Sequence, residues 1–211
     1  ISTREMQLMV QLSDKVHMLE TMKHDQDINV KLEREADKHT NGMSAELSAF
    51  FIAHVKDDHI DKQMLKQAPN SDDVARLHKW SRQIPKSTEK AVKQRKMLYL
   101  GMGASEMEMY VQAMVGMLML PLAVESYKLM EATLHDEFVG EYQRQSDELG
   151  LNSDISDSKV NKLSHKSFDN KTPQKAFWTT FDKSVVNISL ELTKAIQQGV
   201  SAKEWSIITG G

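Results

Sequence analysis

The chain has 211 residues, no cysteine and a formal net charge of −3, from 27 Lys and Arg against 30 Asp and Glu. The lack of cysteine excludes disulfides, thiolate metal sites and cysteine nucleophiles. Only 6% of the residues are aromatic, nine are glycine and four are proline, whereas Met, Leu, Ala, Glu, Lys and Gln are abundant. This composition is typical of long helices. No run of eighteen apolar residues occurs, and the first residues lack the pattern of a signal peptide.

The first forty residues predict one amphipathic helix. Its apolar positions alternate three and four apart, as in a narrow coiled-coil seam: Met9, Leu12, Val16 and Leu19. The next seam positions are Lys23 and Gln26. The seam is therefore too short for an autonomous coiled coil and is typical of one helix in a bundle. Asn41–Gly42 predicts the end of this helix.

Three further helices are predicted before residue 101. The second runs from about Met43 to Gln67 and ends before Pro69. Asn70 or Ser71 caps the third, which Pro85 ends, and the fourth runs from Ser87 to Leu100. The third helix has an apolar core face: Val74, Leu77, Trp80 and Ile84.

A long fifth helix is predicted in the most hydrophobic part of the chain. Ser105 and Glu108 have the spacing of a capping box at its start. The helix reaches Leu149 with a kink at Pro121, because proline removes a backbone donor and clashes with the preceding turn. Gly150 predicts a Schellman-type end.

The C-terminal sixty residues predict a loop and one clear helix. Residues 151–171 are polar and aperiodic, which indicates a long surface loop. Thr172–Pro173 is a strong helix start, and Gly199 is a matching stop. The helix between them has an apolar stripe: Phe177, Phe181, Val185, Ile188, Leu192 and Ile196. Ser201 and Glu204 form a second capping box before a final short helix with Trp205.

These elements predict an all-α, elongated bundle of five to six helices around the long helix kinked near Pro121. We expect one domain overall. Residues 1–150 form the bundle with a basic helix pair and a Met-rich helix, 151–171 the polar surface loop, and 172–211 the C-terminal helix that packs back.

Positive charge is concentrated in one window of this acidic chain. From Arg76 to Lys96 there are eight Lys or Arg and one acid, Glu89, so the window carries +7 while the remaining residues carry −10. Spacings of three and four place these cations in columns on the third and fourth helices. They are the candidate partner-binding or anion-binding residues: Arg76, Lys79, Arg82, Lys86, Lys90, Lys93, Arg95 and Lys96. Trp80 is either a stacking platform for nucleic acid or, as its helix face favours, a core residue.

Histidine is the second unusual feature, because five of the eight histidines lie in the first sixty residues. Four acid–histidine pairs are one helical turn apart: Glu20/His24, Glu35/His39, His54/Asp58 and Glu131/His135. The spacing suits metal chelation. However, the chain contains neither Glu-x-x-His nor His-Glu-x-x-His. We therefore expect no metal and no cofactor, with His54 as the one partly buried member.

Methionine is the third, because eight of fourteen methionines lie between Met97 and Met130. Flexible methionines suit an exchangeable protein interface or a membrane-inserting element. The continuous apolar run, Ala113 to Val124, is too short to span a bilayer as a helix. A central helix buried on most sides is the favoured interpretation.

The chain shows no recognisable enzyme signature. The stretch from Gly101 to Ser105 looks like half of a phosphate loop, but no strand precedes it and Glu106 and Glu108 occupy the positive helix start that a phosphate needs. Neither a Walker motif nor Gly-x-Ser-x-Gly occurs.

We therefore expect a non-enzymatic helical assembly or interaction subunit that docks a protein partner, or copies of itself, through the basic helix pair. Acidic patches on a neighbouring copy are the natural counterpart: Glu141, Asp147 and Glu148. The first alternative is nucleoprotein-like binding of single-stranded nucleic acid through Arg76 to Lys96. The second is a membrane-active toxin or translocator that uses the Met-rich segment 107–130. The third is a metal-dependent bundle enzyme. No small-molecule substrate is indicated, and the sequence does not fix the localisation.

Overall fold

The computed structural model describes residues 3–86, 89–151, 154–164, 166 and 172–209; the side chains of residues 3–22, 24, 25, 164, 202, 206, 208 and 209 lie outside the description. The helices are α1 Thr3–His54, α2 Ser71–Gln83, α3 Lys90–Met102, α4 Met107–Glu148, α5 Asp157–Ser164, α6 Pro173–Gln198 and α7 Ala202–Thr209. Two short strands, β1 Val55–Lys56 and β2 His59–Ile60, and a 3₁₀ helix, Lys62–Lys66, lie between α1 and α2. The predicted all-α class is confirmed, with seven α-helices in the described ranges instead of five to six.

The chain forms two compact units, residues 1–38 and 39–211. The described part of the first unit is the N-terminal portion of α1, and it includes the predicted seam, whose side chains are not described. The second unit contains the end of α1 and all the other elements. The domain boundaries predicted from the sequence remain a prediction.

The first two predicted helices are one continuous helix. Gly42 lies within α1, exposed and with no neighbour near the position of a Cβ, so the predicted break at Asn41–Gly42 is wrong. A glycine costs a helix only about 1 kcal/mol, and the flanking turns outweigh this cost. The predicted second helix also ends early, at His54. A hairpin pairs Val55 with Ile60, and its turn residues Asp57 and Asp58 have φ values of 50° and 66°.

Helix α4 is the core of the second unit. Helices α2, α3, α5 and α6 all contact it. Buried positions cover most sides of its first half: Met107, Tyr110, Val111, Ala113, Met114, Val115, Gly116, Met117, Leu120, Ala123, Val124 and Tyr127. The favoured interpretation of the Met-rich segment, a central helix buried on most sides, is confirmed. Pro121 lies inside the helix, which continues to Glu148, and the kink at Pro121 remains a prediction.

The start of α4 differs from its prediction. The N-cap is Glu106, which makes no side-chain cap hydrogen bond, so the expected Ser105–Glu108 box does not form. Instead, the first backbone N–H of the helix, that of Met107, donates to the Gln67 carbonyl at 2.8 Å. A tertiary partner thus replaces the local cap.

The predicted ends of three helices are confirmed. At the end of α4, Gly150 has a φ of 63° and the Leu151 N–H donates to the Ser146 carbonyl at 2.8 Å, which is a Schellman motif. Thr172 caps α6, and Gly199 ends it with a φ of 70°. The capping box before α7 forms between Ser201 and Glu204.

Residues 151–171 are not a continuous loop, because α5 forms within them. The side chain of Val160 is fully buried, and α5 packs on the second half of α4. One apolar side chain at a suitable position therefore orders a segment whose composition alone predicts a loop.

Helix α4 is also long and apolar enough to cross a membrane, since its best 18-residue window has a mean hydropathy of 1.5. However, 61% of that window is buried inside the protein. The core helix of a water-exposed bundle has the same properties.

The tight approach of α3 to α4 gives a testable prediction. A Cβ added at Gly116 lies 2.6 Å from both Cε atoms of Tyr99, whereas one added at Gly140, on the same helix, meets nothing within 4 Å. We expect Gly116→Ala to lower the free energy of unfolding by about 1–3 kcal/mol through overpacking. Gly140→Ala should raise it by about 0.5–1 kcal/mol. Urea unfolding of both variants checks this, and equal effects would contradict the proposed packing.

Candidate functional site

The first half of the candidate site is α2, whose start is fixed by a reciprocal cap. The Asn70 side chain accepts from the Asp73 N–H at 2.9 Å, and the Asp73 carboxylate accepts from the Asn70 N–H at 3.2 Å. Leu77 and Trp80 face the core and are 1% and 2% exposed. The interpretation of Trp80 as a core residue is therefore confirmed. Its burial orients the cations of this helix away from the core: Arg76, half-buried, and Lys79 and Arg82, exposed.

A buried histidine–aspartate pair joins the end of α1 to the start of α2. His54 Nε2 lies 3.0 Å from the Asp73 Oδ2, and Nδ1 lies 2.8 Å from the Phe50 carbonyl oxygen. The side chains are 7% and 1% exposed. Both ring nitrogens face acceptors, which favours the doubly protonated imidazolium. His54 is partly buried as predicted, but its partner is Asp73 and not Asp58, because α1 ends at His54.

This environment raises the pKa of His54. Burial by itself lowers the pKa, but the hydrogen bonds to Asp73 and to the Phe50 carbonyl and the charge of Asp73 outweigh that effect. Arg76 opposes the rise through its positive charge. The pair therefore holds the first turn of α2 in place most firmly while His54 is charged.

The second half of the site is α3, which contacts α2. Val92 and Tyr99 are its buried residues, and Gly103, just after the helix, packs on the Leu77 side chain. Lys90 and Lys93 are exposed, and Lys96 is half-buried. The predicted start at Ser87 lies outside the described residues.

Arg95 differs from the other predicted cations because its side chain binds other residues of the same chain. Its guanidinium forms two hydrogen bonds to the Asp182 carboxylate, at 2.8 and 2.6 Å, and lies 4.6 Å above the Trp178 ring. It also donates to the Ala91 and Trp178 carbonyls. The side chain is only 14% exposed. Arg95 therefore joins α3 to α6, and its guanidinium is already occupied.

The other seven predicted cations form no ion pair with any residue in the part of the chain that the structure describes. They are Arg76, Lys79, Arg82, Lys86, Lys90, Lys93 and Lys96. We call these seven residues the basic surface. Glu89, the one acid in the window, is half-buried and accepts a hydrogen bond from the Gln174 side chain at 3.1 Å. The positive charge of the surface is therefore not compensated by an ion pair to described residues.

A cleft of about 280 Å³ lies beside Lys86. Glu89, Glu131 and Tyr127 are among its lining residues, so the cleft has mixed charge. The Tyr127 hydroxyl donates to Glu131, and burial together with this carboxylate raises the pKa of Tyr127. The phenol therefore stays protonated near neutral pH and acts here as a hydrogen-bond donor.

Two of the three expected acidic counterparts are already paired. Arg144 binds Glu141 through two hydrogen bonds, at 2.9 and 2.8 Å, and Glu148 through one at 2.6 Å. Asp147 is exposed. The sequence already indicates these two ion pairs, because Glu141 lies three residues before Arg144 and Glu148 lies four residues after it on one helix.

Two exposed apolar residues beside the basic surface do not stand out in the sequence. Met97 and Leu98 on α3 are 72% and 57% exposed. The sequence shows them only as part of a Met-rich stretch, in which Met107, Met114 and Met117 are buried. Exposure at these two positions becomes visible only when the buried side of α3, at Val92 and Tyr99, is known.

No group of three or more histidine or acidic side chains within the described ranges is placed to hold a metal ion. Comparisons with protein-family models, with curated proteins and with solved structures found no significant match.

The His54–Asp73 pair predicts a pH dependence of stability. The folded pKa of His54 is raised above its ordinary value of 6.5. The stabilisation of the folded state by charged His54 is therefore fully present below pH 6.5 and is lost as the pH rises through the folded pKa. We expect the melting temperature of the wild-type protein to fall over that range. His54→Gln should remove this fall, and His59→Gln, at an exposed histidine, should retain it. Parallel pH profiles for all three proteins would contradict the assignment.

The contacts of Arg95 predict that two cations of α3 differ in their effect on stability. Arg95→Met should lower the free energy of unfolding by about 2 kcal/mol, because it removes both guanidinium donors of Asp182 and the cation above the Trp178 ring. Lys93→Met should change it by less than about 0.5 kcal/mol. Arg95→Lys should not restore stability, since an ammonium cannot form the two parallel bonds or stack on Trp178 in the same way. Chemical unfolding measures all three.

Proposed function

We propose that the protein is a non-enzymatic helical interaction subunit that docks an acidic protein surface on its basic surface. One observation carries the proposal. Seven cations, six on two contacting helices and Lys86 between them, form no ion pair with described residues, although the chain as a whole has more acids than bases. Charge segregated in this way attracts an oppositely charged partner and sets its orientation.

The buried face of each helix supports this role. Leu77 and Trp80 fix the rotation of α2, and Val92 and Tyr99 fix that of α3. The Arg95–Asp182 pair further joins α3 to α6. A rigid support of this kind lowers the conformational-entropy cost of binding a partner. The cations are therefore presented by a packed framework and not by a flexible tail.

An acidic protein fits this surface better than a nucleic acid does. Sequence-independent binding of single strands combines cations with aromatic rings on which bases stack. On α2 and α3 the rings of Trp80 and Tyr99 are 2% and 3% exposed, so neither offers a face to a base. Exposed apolar side chains, Met97 and Leu98, lie on α3 instead, and these suit a protein interface.

The test compares two polyanions of equal charge, a labelled polyglutamate peptide and a labelled single-stranded oligonucleotide, in low salt. We expect the peptide to bind, with affinity that falls as salt is added because the charges are exposed. Lys90→Glu/Lys93→Glu should weaken its binding by about tenfold or more. The control Lys175→Glu/Lys203→Glu reverses two exposed lysines in the first turns of α6 and α7 and should have little effect.

Failure of the wild-type protein to bind polyglutamate would overturn the proposal. Tighter binding of the oligonucleotide, lost in Lys90→Glu/Lys93→Glu and kept in the control, would replace the proposal with the nucleic-acid alternative. Equal loss in both double variants would also contradict it, because the effect would then follow net charge and not this surface.

A further inference from the structure

The solvent-facing side of α3 has a basic end and an apolar end. Its exposed residues in chain order are Lys90, Lys93, Gln94, Met97, Leu98 and Gly101. We call these residues the α3 face. Large apolar side chains that are exposed singly are common, but two adjacent ones beside a cluster of cations mark an interface. Gly101 adds open space, since a Cβ at that position meets nothing within 4 Å.

A second exposed patch, at the end of α4, has the opposite charge and a similar apolar content. Leu149 and Leu151 are 71% and 62% exposed. The acids Asp147, Glu148 and Asp154 around them are exposed as well, and we call these five residues the α4 tip. From Glu141 to Asp157 the chain contains five acids and one base, a formal charge of −4.

We propose that the α3 face of one copy binds the α4 tip of a second copy. This inference rests on the proposed function and names its partner. In such a contact Met97 and Leu98 pack against Leu149 and Leu151, while the lysines of α3 lie near the acids of the tip. Each apolar pair loses its contact with water, and the lysines of α3 approach a segment whose net charge is negative.

The two patches cannot meet within one molecule. Tyr99 of α3 packs at Gly116, which precedes Asp147 by 31 residues of the same helix. At 1.5 Å per residue this separation is about 45 Å. The tip of a chain is therefore far from its own α3 face, and the contact must form between copies.

Charge also fixes the type of assembly. A symmetric contact of two α3 faces would bring lysines against lysines, and a contact of two tips would bring acids against acids. The favoured contact is head to tail, with two different surfaces. Copies that make this contact with two different neighbours form a ring or an open chain, and two copies that make it reciprocally form a two-fold dimer.

Light scattering coupled to size exclusion, in low salt and over a range of protein concentrations, tests this proposal. We expect the mass of the wild-type protein to rise with concentration from 24.0 kDa to that of a dimer or beyond. Met97→Glu damages the α3 face and Leu149→Asn damages the tip. Each substitution should raise the apparent dissociation constant of self-association by about tenfold or more. Each variant should therefore remain monomeric by itself. An equimolar mixture should stop at the dimer, since one intact face of each kind remains.

Two controls have matched exposure. Ile52 is 72% exposed, like Met97, and Ile207 is 71% exposed, like Leu149. Ile52→Glu and Ile207→Asn should assemble as the wild-type protein does. Circular dichroism and melting curves establish that all four variants are folded.

The remaining outcomes separate this proposal from the proposed function. A wild-type protein that stays monomeric but binds polyglutamate overturns the head-to-tail contact and leaves the docking role intact. A wild-type protein that is monomeric and binds no polyglutamate overturns both. Assembly by Met97→Glu alone, or a mixture that does not dimerise, overturns the assignment of the two faces.

Discussion

The burial of the first half of α4 on most sides is the constraint on which the rest of the second unit depends. Helices α2, α3 and α6 contact this helix, and each uses its own apolar side for that contact. The rotation of every helix is set by that requirement, and with it the direction of every charged side chain. The close contact of Gly116 with Tyr99 shows how little freedom remains. The basic surface is thus a consequence of core packing.

Local sequence signals predicted the fold well at helix ends whose hydrogen bonds join residues close together in the sequence. The caps at Asn70 and Thr172 and the glycine stops at Gly150 and Gly199 all occur as expected, because each involves residues within a few positions of one another. Two of the failures involve tertiary partners. The Gln67 carbonyl replaces the Ser105 box at the start of α4, and the burial of Val160 orders α5 in a polar segment.

The candidate site was predictable in composition but not in detail. Charge counting locates the window from Arg76 to Lys96, yet it cannot show that Arg95 is held by Asp182, which is 87 residues away in the chain. It cannot show that Glu141 and Glu148 are bound to Arg144 either. Formal charge is a property of the sequence, whereas charge available to a partner depends on which groups the fold has paired. His54 illustrates the same point, because Asp73, its partner, comes from another helix.

The length of α4 has a geometric consequence for any chain of copies built through the α3 face and the α4 tip. The length of the helix sets both the distance and the rotation between successive copies. One residue inserted between Gly140 and Glu148 would lengthen the repeat by about 1.5 Å and turn the next copy by about 100°. Seven residues, two nearly complete turns, would lengthen the repeat and almost preserve the orientation. The pitch of such an assembly therefore depends on the length of a single helix.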